Sequence, residues 1–314
     1  MEQALISLVI PFYNEAGQAG QTLSATARVM EEAGLVYEIL AVDDGSADET
    51  WETLIKAAQE DSCIRPIRLS RNFGKEAAMS AGLDAAKGDA VVVMDGDLQH
   101  PPRYIPDMVR LWQEGYEVVD GVKESRGRES VFSRLFASVF YGLFRRMSGL
   151  ELANASDFKL LDRKVVDEWK KLEEKDTFFR ALSAWMGFRR VTLPFTVDER
   201  PNGRSKWGFG KLVRLSVSAL TGFSSRPLML ISSFGTFFLL LFFILAIQTL
   251  IRYFRGQAAT GFTTVILLQL LIGSIILISL GLIGIYLDRL FREVKGRPRY
   301  LVAETFEEKG RDLD

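Results

Sequence analysis

The sequence predicts an α/β protein with a mostly parallel sheet, followed by a membrane anchor. Three observations predict it. Short apolar, β-rich runs alternate with amphipathic helical stretches through residues 5–122, as strand–helix–strand units on a parallel sheet do. Two later stretches are apolar and each long enough to cross about 30 Å of hydrocarbon at about 1.5 Å per residue. Mean hydropathy is +0.09 although 25% of the residues are charged, so polar and apolar residues are segregated along the chain.

The elements follow in order. Strands are expected at Leu5–Pro11, Tyr37–Asp43, Ile64–Ser70, Ala90–Met94 and Glu117–Val122. Helices are expected near 15–33, 47–61, 75–87 and 102–114, with Ser46 and Glu49 spaced as a capping box for the second. Ala90-Val91-Val92-Val93-Met94 has no polar alternation, as suits a strand buried on both faces. Ligands of such sheets bind beyond the carboxyl ends of the strands. There the sequence puts Pro11-Phe12-Tyr13-Asn14-Glu15, Asp43-Asp44-Gly45-Ser46, Arg71-Asn72-Phe73-Gly74-Lys75 and Asp95-Gly96-Asp97. Helix capping accounts for Asn14 or Ser46. It does not account for Asp43, Asp44, Asp95 and Asp97 together, because crowded carboxylates need a cation or hydrogen-bond donors. No Gly-x-Gly-x-x-Gly follows the first strand and no phosphate-binding P-loop occurs, which removes the main support for a dinucleotide dehydrogenase or a P-loop NTPase.

The apolar stretches run from Leu228 to Ile251 and from Phe262 to Leu287. Basic residues from Arg200 to Arg226 precede the first, and Arg289, Arg292, Lys295, Arg297 and Arg299 follow the second. The loop between offers Arg252 and Arg255, so the positive-inside rule predicts a hairpin with both ends cytoplasmic. No signal-peptide pattern opens the sequence. The expected division is a catalytic domain at 1–207, an interfacial helix and linker at 208–226, spans at 227–252 and 261–288, and a cytoplasmic tail at 289–314. Stretches 131–146 and 208–223 carry apolar stripes beside basic residues and are expected at the interface. Gly273, Ser274, Gly281 and Gly284 would permit close helix contact, and so a homo-oligomer through the spans. A net charge of −1 gives no basic field for nucleic acid. Cys63, the single cysteine, excludes an internal disulfide. The spans hold no internal ionisable residue, which argues against a transport pathway.

Asp95-Gly96-Asp97 offers two hard carboxylates on a tight turn, with a glycine that lets a diphosphate approach. That donor set favours Mg²⁺ or Mn²⁺. Here the chain resembles family 2 glycosyltransferases of the GT-A fold, and within them the dolichol-phosphate mannose synthase and bacterial polyprenyl-phosphate (bactoprenol) glucosyltransferase type. The segments that carry the resemblance are Val9-Ile10-Pro11-Phe12-Tyr13-Asn14-Glu15, Val42-Asp43-Asp44-Gly45-Ser46 and Met94-Asp95-Gly96-Asp97-Leu98-Gln99-His100-Pro101.

The resemblance implies the following roles. Pro11, Tyr13 and Glu15 line a base and ribose pocket, with Asp44 beside it. Asp95 and Gly96 lie at the ribose and diphosphate, and Asp97, Gln99 and Asp95 hold the metal. Lys75 is either a nucleotide contact or an ordinary helix-start lysine, and His100 is read as a turn residue before Pro101-Pro102. Arg200, Ser205 and Lys206 in Arg200-Pro201-Asn202-Gly203-Arg204-Ser205-Lys206 bind the acceptor phosphate, together with Lys123 and Arg126. Asp157 stands where relatives place their base. A lipid phosphate is already largely dianionic at neutral pH, its second pKa being about 6. Asp157 is therefore expected mainly to orient acceptor-binding cations and to take any residual proton. The implied reaction is inverting transfer of one sugar, glucose from UDP-glucose first, to a polyprenyl phosphate at the cytoplasmic face of the inner (plasma) membrane. GDP-mannose-dependent mannosyl transfer is the alternative. A processive polysaccharide synthase is disfavoured by the missing Gln-x-x-Arg-Trp motif, and the non-enzymatic alternative is a nucleotide-sugar-binding membrane scaffold.

Overall fold

The computed structural model describes residues 3–124, 155–172, 174, 178–196 and 261–306, with isolated positions between 142 and 255. The elements of the first half are β1 (Leu5–Phe12), α1 (Ala16–Glu32), β2 (Val36–Asp43), α2 (Thr50–Glu60), β3 (Ile64–Leu69), α3 (Lys75–Ala85) and β4 (Ala90–Val93). A 3-10 turn (Pro102–Tyr104) leads into α4 (Ile105–Gln113) and β5 (Val118–Lys123). Then come β6 (Ala155–Asp162), α5 (Arg163–Lys171), α6 (Phe179–Trp185), β7 (Arg190–Phe195), the long helix α7 (Phe262–Val294) and β8 (Val302–Thr305).

The strands form one sheet in the order β7-β5-β6-β4-β1-β2-β3-β8. β1 pairs in parallel with β2 and β4, β2 with β3, and β5 with β7. β6 runs antiparallel between β4 and β5, and β8 antiparallel beside β3. The mostly parallel α/β sheet expected from the alternating pattern is present, and each strand and helix expected within residues 5–122 has a counterpart within a few residues. The central strands are buried on both faces, as unbroken apolar runs require. Ile6, Leu8, Ile10 and Phe12 of β1 join Leu23 and Met30 of α1, Trp51 of α2 and Met108 of α4 in one core. On the opposite face α3 lies close on β1, because a Cβ at Gly82 would come within 2.2 Å of Val9 Cγ1. That close approach carries the start of α3, Lys75 and Glu76, down to the rim where the parallel strands end.

The expected capping box is not formed. α2 begins at Thr50, and its N-cap Glu49 makes no side-chain capping bond. Ser46 and Asn14 instead clasp the two loops together: Asn14 N–H donates to Ser46 Oγ at 2.9 Å and Ala47 N–H to Asn14 Oδ1 at 2.9 Å. Neither residue caps its own helix. Asp48 takes the capping role, accepting from Thr50 N–H at 3.1 Å and Ala16 N–H at 3.2 Å.

The described residues fall in two compact units, the first holding the sheet together with the segment from Pro298 onward and the second holding α7. That last segment is tied into the first unit. Arg299 donates to the Leu172 and Glu174 carbonyls, and Tyr300 Oη to Asp84 at 2.6 Å. Ser70 N–H donates to the Leu301 carbonyl at 2.9 Å, and β8 follows. Within α7 the segment Leu271–Val294 is long and apolar enough to cross a membrane, with a mean hydropathy of 2.1. It is the one such helix among the described residues. The expected first span and both interfacial stretches lie outside the described residues or among their isolated positions.

Lys159 of β6 is fully buried and ion-paired to Asp120 of β5, which also holds Arg190 of β7 through Nε at 3.0 Å. Burial pulls the Lys159 pKa down and the Asp120 charge opposes it. Removing one partner of such a pair strands a charge in the interior and costs about 3–5 kcal/mol. Asp120→Ala is therefore expected to lower the unfolding free energy of the detergent-solubilised chain, read from denaturant titration, by that much. An unfolding free energy within about 1 kcal/mol of wild type would show that the pair does not anchor the β5–β6–β7 edge.

Candidate active site

The rim at the carboxyl ends of β1, β2 and β4 is built from loops that hold one another. Asp43 Oδ1 accepts from Ser46 N–H at 2.9 Å, and its other oxygen lies 3.4 Å from Arg68 Nε. Asp44 accepts from Phe73 N–H at 2.8 Å and Gly74 N–H at 2.9 Å. Gly45 makes this approach possible: it sits at φ +64, and a Cβ there would meet the Arg71 carbonyl carbon at 2.4 Å. Of the compensation that the crowded rim aspartates need, Asp43 and Asp44 find theirs in backbone donors and Arg68.

Asp95, Asp97 and Glu15 form the adjoining part of the rim. The Asp95-Gly96-Asp97 turn is fastened at three points. Thr22 Oγ1 of α1 donates to the Gly96 carbonyl at 2.6 Å, Asp95 N–H to His100 Nδ1 at 2.9 Å, and Gln99 N–H to Asp97 Oδ1 at 3.1 Å. Leu98 is held at φ 57, a left-handed conformation unfavourable for leucine. A Cβ at Gly96 would strike the Phe12 ring at 2.6 Å and approach Glu15 Oε2 to 3.0 Å. Glu15 Oε2 is buried without a hydrogen-bond partner among the described residues. Burial, then the charges of Asp97 and Asp95, raise the Glu15 pKa to about 7. Pro11 is buried beneath this rim and Tyr13 is 47% exposed above it.

His100 is more than the turn residue expected. It is buried, stacked on Phe158 with centroids 5.2 Å apart, edge-on to Phe195, and accepts the Asp95 N–H. Burial lowers its pKa, so the ring is neutral at pH 7 and Nδ1 stays an acceptor.

Lys75 joins this rim to β6. Its Nζ lies 2.6 Å from Asp95 Oδ1 and 2.6 Å from Asp157 Oδ2. Arg180 of α6 closes the arrangement from the other side, with Nε 2.6 Å from Asp157 Oδ1 and Nη2 2.9 Å from Oδ2. Asp157 is buried, and the two cations hold its carboxyl far below the usual range against the opposing effect of desolvation. Glu76, next to Lys75, accepts from Phe179 N–H at 2.9 Å; loss of water and the Asp157 charge push its pKa up to about 8. Lys123 Nζ, at the end of β5, is 3.5 Å from Gln99 Oε1. Arg126, Arg200, Ser205 and Lys206 lie outside the described residues.

The structure therefore brings Glu15, Lys75, Asp95, Gly96, Asp97, Gln99, Lys123 and Asp157 to one rim. Arg180 and Glu76 escaped the sequence reasoning. Their partners lie 23 and 103 positions away, and no local spacing announces either contact. Among the described residues no group of three or more His, Cys, Asp or Glu forms a ready metal cage. Mg²⁺ and Mn²⁺ do not require one, since they are held by one or two carboxylates with substrate phosphates and water. The unpartnered Glu15 oxygen beside Asp95 and Asp97 fits a place for a divalent cation, since three carboxylates gather there with Lys75 on Asp95.

A doubly wound sheet whose ligand rim carries an aspartate–glycine–aspartate turn defines the architecture of a GT-A-type sugar transferase. The crystal structure of mannosyl-3-phosphoglycerate synthase from Rubrobacter xylanophilus shares this fold, with a TM-score of 0.50 at 20% identity over 72% of this chain and 74% of that one. The Glycosyl transferase family 2 model matches residues 7–169. An uncharacterized glycosyltransferase of Bacillus subtilis (strain 168), YkcC, is 39% identical over 306 residues, covering 96% of this chain and 94% of its own. The bactoprenol glucosyl transferase of Shigella phage SfII is 34% identical over 96% of this chain and 98% of its own. The undecaprenyl-phosphate 4-deoxy-4-formamido-L-arabinose transferase of Edwardsiella ictaluri (strain 93-146) is 35% identical over 96% and 94%. The chain belongs to glycosyl transferase family 2 and is a glycosyltransferase.

Glu76 gives this site a stability signature. A carboxyl whose pKa rises on folding keeps its proton in the folded state between its ordinary 4.5 and about 8, while the unfolded chain has released it. Stability therefore falls as pH rises through that window. Glu76→Gln has no proton to lose and is expected to flatten the decline. Thermal midpoints of both forms between pH 5 and 8 check this; parallel declines would contradict it.

Proposed function

We propose that the chain transfers one sugar, with inversion, from a nucleotide sugar to a polyprenyl phosphate at the cytoplasmic face of the membrane. The observation that carries this is similarity over nearly the whole chain, α7 included, to relatives whose names specify bactoprenol or undecaprenyl phosphate. UDP-glucose is the proposed donor. The arabinose-type relative favours a second reading, a modified pentose donor, because it is as similar to this chain as the glucosyl transferase is.

Pro11, Tyr13 and Glu15 are proposed to line the nucleoside pocket. Asp44 is proposed to shape it by fixing the Phe73–Gly74 backbone. Asp97, with Asp95 and Gln99, would hold a divalent cation, whose charge stabilises the departing diphosphate. Lys75, already against Asp95, adds a second positive charge on the same side. On the acceptor side Lys123, Arg126, Arg200, Ser205 and Lys206 are proposed to receive the phosphate, with arginine supplying two-pronged hydrogen bonds. Asp157 is proposed as the anion that orients Lys75 and Arg180. Two cations already occupy its oxygens, so it is a poor proton acceptor, and a dianionic phosphate needs none.

A hairpin anchor is proposed from the sequence pattern: Leu228 to Ile251 and Phe262 to Leu287 are both apolar, and basic residues precede the first and follow the second.

The test is transfer of label from a panel of nucleotide sugars to undecaprenyl phosphate by the detergent-solubilised full chain, with Mg²⁺, Mn²⁺ or chelator. One sugar per lipid, with loss of at least about tenfold on chelation (1.4 kcal/mol), is the expected result. Polymer as product would overturn the single-transfer reading, and an unchanged rate in chelator would overturn the metal assignment.

A further inference from the structure

We propose that Glu76 is a positioning residue for sugar transfer: by accepting the Phe179 N–H it fixes the start of α6 against α3, so that Arg180 and Lys75 meet on Asp157. The inference rests on the function proposed above and adds to it a residue that neither the motif segments nor the rim aspartates include.

An acidic residue in the first turn of a helix is ordinarily there for the helix dipole, and Glu76 stands in the first turn of α3. Its carboxylate, however, is not left to water. Oε2 receives the backbone N–H of Phe179 at 2.9 Å, from a residue 103 positions further on. Phe179 is the first residue of α6, and its fully buried ring is edge-on to Trp169 of α5, with centroids 5.3 Å apart. The next residue, Arg180, holds both oxygens of Asp157. The residue before Glu76, Lys75, holds one of those same oxygens and also Asp95. Two consecutive residues of α3 thus set the two cations of Asp157, Lys75 by direct contact and Glu76 through the backbone of α6. α6 spans seven residues, too short to hold its own orientation, so a tie at its first amide governs where Arg180 points. A neutral carboxylic acid keeps an acceptor oxygen for Phe179, and its pKa near 8 agrees with a group whose task is that hydrogen bond rather than its charge.

Glutamine keeps the reach and the acceptor oxygen; aspartate keeps the carboxyl but is one methylene too short. In transfer from labelled nucleotide sugar to undecaprenyl phosphate by the full chain, Glu76→Gln is expected within about threefold of wild-type kcat. Glu76→Asp is expected to lose about 10–100-fold in kcat, with donor KM little changed, as small misplacements of reacting groups do. In an Arg180→Ala background Glu76→Asp should cost less than about twofold more, since the two act through one contact. Hydrogen exchange over residues 179–185 should rise in the Asp form and not in the Gln form. An active Asp form with an inactive Gln form, multiplied losses with Arg180→Ala, or unchanged exchange in the Asp form would each overturn the proposal. A wild-type chain inactive on every donor would remove only the functional reading, and the exchange comparison would then decide the clamp alone.

Discussion

The carboxylate of Asp157 is the point on which the site depends. It is buried, and a buried anion without partners is strongly unfavourable, yet it has two: Lys75 from the start of α3 and Arg180 from α6. Three elements distant in sequence meet at this one group, and the meeting places Lys75 against Asp95 as well. The Asp95–Gly96–Asp97 turn, α3, β6 and α6 are in this way tied by one chain of charges. Removing the central carboxylate would leave Lys75 to Asp95 alone and take from Arg180 the anion that holds both of its nitrogens.

The rim loops owe their form to a different principle, mutual satisfaction of backbone donors. Asp43 accepts an N–H of its own loop and Asp44 two of the Phe73–Gly74 loop, Asn14 and Ser46 clasp across, and Thr22 and His100 fasten the Asp95–Gly96 turn. The consequence is a rim fastened at several points, in which Glu15 Oε2 is left buried without a hydrogen-bond partner among the described residues. Leu98 in a left-handed conformation fits such a rim, since strain persists where surrounding bonds over-determine the chain.

Much of this was legible in the sequence, because period and turn chemistry are local. The unbroken apolar run of β4 announced a doubly buried strand, and Asp95-Gly96-Asp97 at its end announced the ligand rim. Local reasoning misled where a polar side chain reaches across rather than along the chain. Ser46 has the spacing of a cap and serves as a clasp, while Asp48, unremarked in sequence, does the capping. Arg180 and Glu76 were invisible for the same reason: their partners are set by how α6 packs, and no short pattern encodes that. β8 was equally hidden, four residues that become a strand only because β3 offers an open edge.

The central claim is that Lys75 and Asp157 act as one device joining donor and acceptor. A double-substitution cycle on the transfer rate, with Lys75→Met and Asp157→Asn, tests it most directly. Coupled groups in one ion-pair network show interaction energies of about 0.5–3 kcal/mol. The account predicts that the double substitution is no slower than the worse single one. Losses that simply multiply would show that the two residues serve the reaction independently and would contradict it.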